Sequence, residues 1–494
     1  MNRPIHTPSR VQRLPVAGYK RATHARHLLL AIRSAEAARA LLQQLHHDDR
    51  QGLRFGPADG WHAPEASGLD IGFSHDGLLR LGLPAPHTGT LATRARAFKL
   101  GAYQRAARLG DSGDSAPLRW ERGFAPRETD LMLSMHAADA ATIDTRWRHL
   151  TGLRGWADAF ELRSEQPAAH LPQSARNPGR RSEHFGFADG LANPDLGLAR
   201  PRALAPDTPA DAATPTALGE LLLGHPNQVG ANPWFFDDDA GLPQPPQRGR
   251  APDEFEQKQA ELSDFFRDGC FGVLRKMAQH VEVFEAWVDQ AARRLMHAAG
   301  PLDLDAARLY IKAKLCGRWP NGQVLSERDG YRQPDADAEG LNRFDFSDDP
   351  QGRACPFGSH IRRMNPRSDA VVPARTRALV RRGMPYEQAG DADRQRERER
   401  GLMGLFFCAS IEDQFEHLLG EWTNKNPMGP DNAGTAKDPL IGQHEDPEAF
   451  LEIWLPDGRP LRLDGLPPFV QTRGTLYLFY PSERAYLEIC GARP

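Results

Sequence analysis

His27-Leu-Leu-Leu-Ala-Ile32 is an unbroken apolar run of strand length, and Ala35-Glu-Ala-Ala-Arg-Ala-Leu-Leu-Gln-Gln-Leu45 begins only two residues later. The first reads as a buried strand, and the second repeats small and apolar residues at helical spacing. Working outward, strands are expected at 71–73 and 130–136, a helix at 141–150 and a closing strand at 159–162. That order is βαββαβ, the ferredoxin-like arrangement. Residues 204–259 then change texture to Pro, Ala, Asp and Gly with few aliphatic runs, which reads as an insertion or linker over the surface. Strand character restarts at 270–275. A helix is expected at 281–297 on Val283, Phe284, Trp287, Val288, Ala291 and Leu295, followed by a strand at 402–409, a helix at 411–419 and a late strand at 476–480. The expected class is α+β: two ferredoxin-like domains, each an antiparallel β-sheet with packed helices. Their bounds are 1–20 for a tail, 21–203 for the first domain, 204–265 for the insertion and 266–494 for the second domain.

A chain of 494 residues has room for two cores. Its formal charge of −3 arises from 62 basic against 65 acidic residues, so no overall field favours nucleic acid or an anionic membrane. The charged run at 391–400 interleaves both signs without aromatics and reads as a solvated face. No apolar core of signal-peptide length opens the chain and no stretch reaches the roughly 18 apolar residues of a membrane span. A cytoplasmic protein with no membrane and no nucleic-acid partner is expected. The five cysteines are scattered, with no C-x-x-C pair and no haem-attachment sequence, so neither a disulfide framework nor a covalent haem is expected.

Three segments carry chemistry. Cys355-Pro-Phe-Gly-Ser-His-Ile-Arg-Arg-Met-Asn-Pro-Arg367 places one imidazole, His360, beside several guanidinium groups, and Leu379-Val-Arg-Arg-Gly-Met-Pro-Tyr386 follows at short range. A neutral imidazole can hold haem iron axially while arginines pair with propionates and oxygen-derived anions. Far upstream, Phe185-Gly-Phe-Ala-Asp-Gly-Leu-Ala-Asn-Pro194 flanks Asp189 with two glycines, which lets the backbone turn tightly and approach a ligand closely. Each has a plainer reading: a turn carboxylate for Asp189, a hydrogen-bonded core histidine for His360, a surface arginine for Arg381.

Taken together these segments resemble the dye-decolorising peroxidase family, whose Gly-x-x-Asp-Gly motif matches Gly186 to Gly190 and whose proximal haem histidine matches His360. The resemblance extends in family order over 11–32, 68–83, 98–111, 219–226, 268–277, 317–322, 401–422 and 469–482, and the length is similar to that of the longer members. It implies one non-covalent haem b per chain in the C-terminal domain, with His360 as the metal ligand. It also implies Asp189 and Arg381 as the catalytic pair for hydrogen peroxide, and phenolic or anthraquinone-type small aromatic reductants oxidised through a ferryl-oxo porphyrin radical. The distal arginine falls on Arg381, with Arg382 adjacent; strand alternation would put Arg375, Arg377 and Arg381 on one face and Arg382 on the other. Arg362, Arg363 and Arg318 are candidates for propionate pairing or, equally, for salt bridges. Asn193 is a candidate anchor of the Asp189 loop at the cofactor, and Phe406 a candidate for the apolar haem wall, where Met403-Gly404 departs from the family's leucine- and phenylalanine-rich pattern. A carboxylate orienting the proximal imidazole is expected among Glu412, Asp413 and Glu416. The rival reading is a haem-handling protein, carrier or iron-releasing, with incidental peroxidase turnover. Self-association stays open.

Overall fold

The computed structural model describes residues 10–48, 51–57, 61, 65–174, 177, 179–197, 216–231, 254–326, 329–335, 341–342, 344–367, 377–389, 398–425, 437–445 and 449–492. The first half runs β1 (His24–Ile32), α1 (Ala35–His47), β2 (Gly68–Phe73), α2 (Arg96–Leu109), β3 (Leu131–Ala137), α3 (Ala140–Thr151) and β4 (Phe160–Ala169). The second runs β5 (Cys270–Gln279), α4 (Val281–Ala299), α5 (Leu304–Cys316), α6 (His360–Met364), β6 (Val380–Arg381), β7 (Met384–Ala389), β8 (Arg398–Cys408) and β9 (Val470–Tyr480). Between β8 and β9 the helix expected at 411–419 forms as two π-helical turns, Ile411–Glu416 and Leu418–Thr423. Such wider coils are rare and concentrate at functional sites.

The strand order is β4-β1-β3-β2-β9-β5-β8-β6, with β7 also pairing β8, and every pairing is antiparallel. Each half has the ferredoxin-like order, the fourth strand lying beside the first and the third beside the second. The two halves do not keep separate sheets. Phe73 pairs with Phe479 to join β2 to β9, and β4 comes up against β7 at the other end, so the nine strands curl towards a barrel. Inside lie Leu29, Met132, Leu274, Leu405, Phe407 and Tyr480; outside, α1, α2 and α3 cover Leu28, Leu30, Ile71, Phe73, Leu133 and Phe479. With both faces covered, all seven residues of β3 are buried, polar Ser134 and His136 included. This explains why the strands read as continuous apolar runs instead of alternating.

Local signals account for the elements. Ser34 caps α1 by accepting from the Ala37 amide, and Asp303 caps α5 by accepting from Ala306. In α4 the side chains of Phe284, Trp287, Val288, Ala291 and Leu295 are buried at helical spacing, while Val283 faces solvent. Part of the expected insertion is core: the helix Glu254–Phe266 forms at its end, and Leu221, Leu222, Leu223, Phe265 and Phe266 are buried. No described helix is long and apolar enough to cross a membrane.

Candidate active site

The Asp189 loop is shaped by the residues around it. Gly186 and Gly190 adopt φ of 92° and 76°, which only glycine takes without strain, and the Gly190 amide donates to Asp189 Oδ1 at 2.6 Å. Glu183, not singled out from the sequence, holds the turn. Its carboxylate accepts from the amides of Phe185 and Phe187, both at 2.9 Å, and from Gln279 Nε2 at 2.5 Å. Burial raises its pKa against the lowering effect of those bonds. Phe185 anchors the loop by stacking on Phe284 at 4.3 Å. Asp189 itself remains exposed, and its amide donates to Arg181 O at 2.9 Å.

Arg381 comes from the two-residue strand β6, and the structure separates it from its neighbour. Its amide donates to Asn193 Oδ1 and its Nη2 to Ala192 O, each at 2.8 Å, so it is tied directly to the Asp189 loop. Nε and Nη1 have no hydrogen bond to a described residue. Arg382 points the other way, with Nε donating to Leu14 O at 3.1 Å and Nη2 to Val16 O at 3.0 Å. Burial lowers the Arg381 pKa and Asp189 opposes that shift, yet solvent reaches the side chain. Arg377 donates to the Asp413 carbonyl, and Arg375 lies outside the described residues.

Strand register extends the site across the sheet. Arg381 pairs with Phe406, Phe406 with Val273 and Val273 with Tyr477, so these four side chains form one row on one face. Phe415 lies over the row, with ring centroids 5.3 Å from Phe406 and 6.3 Å from Tyr477. Gly404 shares that face, and a Cβ there would come within 2.6 Å of the Phe406 ring. The missing side chain is therefore the space into which Phe406 leans.

The π-helical segment runs from Phe415 towards the second half of the site, where the Trp422 and Lys425 carbonyls accept from Arg363 Nη1 at 2.8 and 2.7 Å. His360 opens α6 one residue after the N-cap Ser359. Its Nδ1 is 2.8 Å from Asp438 Oδ2, the Asp438 side chain is 0% exposed, and Nε2 has no hydrogen bond to a described residue. Asp438 is itself fixed, since Oδ1 accepts from the Leu440 amide at 2.9 Å and the Ile441 amide at 3.1 Å. Burial alone would raise its pKa, but His360 and Arg363 pull it below the ordinary carboxylate value. The orienting carboxylate is thus Asp438, not Glu412, Asp413 or Glu416. Glu412 accepts from the Ala97 amide, Asp413 bonds Ser410, and Glu416 pairs with Arg105 and takes the Tyr477 hydroxyl at 3.0 Å.

One expected cofactor contact is corrected. Arg362 is fully buried between the rings of Phe346 and Phe357 and is committed to Asp349 Oδ2 at 3.0 Å and Cys355 O at 2.8 Å, so it cannot reach a propionate. Asn193 spends its side-chain oxygen on Arg381, which makes it a loop anchor. Arg318 stays beside the site: Gly317 packs against Ser359 and Ile361, and Arg381 is among the charges acting on Arg318. Its Nη1 nevertheless serves Gly322 O at 2.9 Å and Leu341 O at 2.7 Å.

The donor set suits haem. One imidazole has a hydrogen-bonded Nδ1 and an Nε2 unbonded among the described residues, and an exposed arginine and an exposed carboxylate are tied together through the loop 189–193. Among the described residues no cluster of three or more His, Cys, Asp or Glu is suited to a bare metal ion.

The comparisons agree. The family model "DyP dimeric alpha+beta barrel domain" matches residues 22–159. The multifunctional dye peroxidase DyP2 of an Amycolatopsis species is 28% identical over 84% of this chain and 80% of its own. Dye-decolorizing peroxidase msp1 of Mycetinis scorodonius is 26% identical over 84% and 74%. Among solved structures, a dye-decolorizing peroxidase in complex with 2,6-dimethoxyphenol superposes with a TM-score of 0.72 at 20% identity, covering 98% of this chain and 100% of that one. A fungal DyP-type peroxidase from Auricularia auricula-judae gives 0.72 at 20% identity over 99% of each. Over most of its length the chain is thus similar to dye-decolorizing peroxidases and shares their fold, and it is a peroxidase.

Proposed function

We propose that the chain holds one haem b non-covalently through His360 Nε2 and uses Asp189 and Arg381 to cleave hydrogen peroxide, then oxidises small phenolic or anthraquinone-type donors. The observation carrying this reading is the His360–Asp438 pair, which leaves one ring nitrogen for iron while a buried carboxylate fixes the other. Haem, when bound, supplies the redox chemistry; the protein supplies position and charge. Asp438 holds the Nδ1 proton and sets the ring plane, raising the basicity of Nε2. Asp189 takes a proton from one peroxide oxygen and returns it to the oxygen that departs as water. Arg381, with Nε and Nη1 unbonded among the described residues, stabilises negative charge on that departing oxygen. Phe406 and Phe415 supply an apolar wall.

We divide the chain at 21–203 and 266–494, with 204–265 between them, on the ferredoxin-like order of each half. We place the protein in the cytoplasm, on five buried cysteines without a disulfide.

The test is stopped-flow absorbance of the haem-loaded protein with one equivalent of hydrogen peroxide. The unaltered chain should change spectrum rapidly, and Asp189→Ala and Arg381→Ala should slow that change by about 10² to 10³. A Soret band that does not move in the unaltered protein would favour a haem-handling role instead.

A further inference from the structure

The segment from Arg10 to Ala22 is fastened at two points that matter to Asp189 and Arg381, and neither is explained by covering the barrel alone. The first is Arg382, adjacent to Arg381. The short helix Arg13–Val16 ends with carbonyls that have no intrahelical partner. Arg382 fills them, donating to Leu14 O at 3.1 Å, Pro15 O at 3.4 Å and Val16 O at 3.0 Å. Gly18, at φ 64°, allows the approach, since a Cβ there would lie 2.9 Å from Arg382 Cδ. The second is Arg181, whose Nη2 donates to Lys20 O at 2.6 Å and Ala22 O at 3.1 Å and whose own carbonyl accepts the Asp189 amide at 2.9 Å.

The segment between these points is held rigid from below. Asp70, 0% exposed, accepts from the Leu14 amide at 3.0 Å and the Tyr19 hydroxyl at 2.7 Å. Arg13, 3% exposed, donates to Gly18 O at 2.9 Å and Glu65 Oε1 at 3.1 Å. Gln12 exchanges two bonds with the Ile71 backbone, at 3.0 and 2.7 Å. One end of the strap therefore sets where the β6 chain stands after Arg381, and the other sets where the Asp189 loop begins.

We propose that residues 10–22 form a positioning strap that fixes the separation of Arg381 and Asp189, with Arg382 and Arg181 as its two positioning residues. The inference rests on the assignment of Asp189 and Arg381 as the peroxide-cleaving pair. Misplacing a catalytic group by about 1 Å can cost 10²-fold in rate. Arg382→Ala should therefore slow the reaction with hydrogen peroxide by about tenfold or more, and Arg181→Ala similarly. Because both act through one strap, the double variant should be little slower than the slower single, which a double-mutant cycle reads as coupling. Haem retention and the resting Soret position, set on the His360 side, should not change, and methylguanidinium should restore rate to Arg382→Ala where methylammonium does not.

A readout independent of peroxide chemistry is hydrogen exchange in Arg382→Ala, whose side chain touches the far end of the strap and the Arg381 carbonyl but, among the described residues, bonds nothing in 186–193. The amides of residues 186–193 should exchange faster than in the unaltered chain. Unchanged exchange there, or rate effects of the two single variants that multiply, would overturn the strap. Should Asp189→Ala react with peroxide as fast as the unaltered chain while exchange still responds, the strap stands and the assignment of the catalytic pair falls.

Discussion

His360 and Arg381, which we assign to one site, are held in opposite ways. His360 is locked from behind: its ring bonds a carboxylate with no solvent exposure, and the adjoining Arg363, 1% exposed, is spent on the carbonyls of Gly358, Trp422 and Lys425. Asp189 and Arg381 are exposed, sit on a loop and a two-residue strand, and are tied mainly through backbone atoms. A permanently held group needs one geometry and can be buried around it. A side that admits peroxide must leave its polar groups reachable, so its order comes from bonds behind the reacting atoms.

The contrast can be broken most forcefully at Arg362, which the sequence leaves equally open to a propionate or a salt bridge. Arg362→Ala leaves Asp349 without its buried partner and should cost on the order of 3 to 5 kcal/mol of stability, read by chemical denaturation. A propionate role would instead weaken haem binding with the unfolding midpoint unchanged. Next in size, Arg381→Ala should slow peroxide cleavage by about 10² to 10³, equivalent to about 3 to 4 kcal/mol, while haem affinity stays as it was. On the proximal side, Asp438→Ala should weaken haem binding by about 10- to 100-fold. If Arg381→Ala loosens haem more than Asp438→Ala, the two sides have been assigned the wrong way round.

The smallest effect is one of pH. Burial lowers the pKa of His27 and of His444 to about 4, so each is neutral in the fold but binds a proton more readily when unfolded. The unfolded state then takes up more protons between about pH 6.5 and 4, and stability falls as pH drops through that window. Asp70 works in the other direction. Its pKa is raised to about 6 by burial, so its contribution is lost as pH rises from about 4 through 6. From pH 7 to 5 each histidine should cost about 1 to 2 kcal/mol. His444→Gln, at the ring whose Nε2 meets Asp438 O at 2.7 Å, should flatten the acid limb of a stability–pH curve.

Much of the fold was legible because a barrel covered on both faces writes its strands as apolar runs, as in 27–32 and 402–409. What was not legible is pairing between distant strands, such as Phe73 with Phe479, which turns two expected sheets into one. Of the residues we assign to the site, His360 stands out by its neighbours and Asp189 by its flanking glycines. Asp438 lies 78 residues from His360 and no local pattern marks it. The arginines were the hardest to place, since residue type does not say where a guanidinium points: Arg362 turned inward to Asp349, and only strand alternation distinguished Arg381 from Arg382. Glu183 carried no signal either, because its work is to bind backbone amides of its own loop.

The most direct test of the central claim is haem titration of His360→Gly with and without added imidazole, followed by the Soret spectrum. If His360 Nε2 holds the iron, the variant should lose normal haem binding and its spectrum, and imidazole should restore both. An unaltered affinity and spectrum in His360→Gly, with no response to imidazole, would show that the iron is held elsewhere.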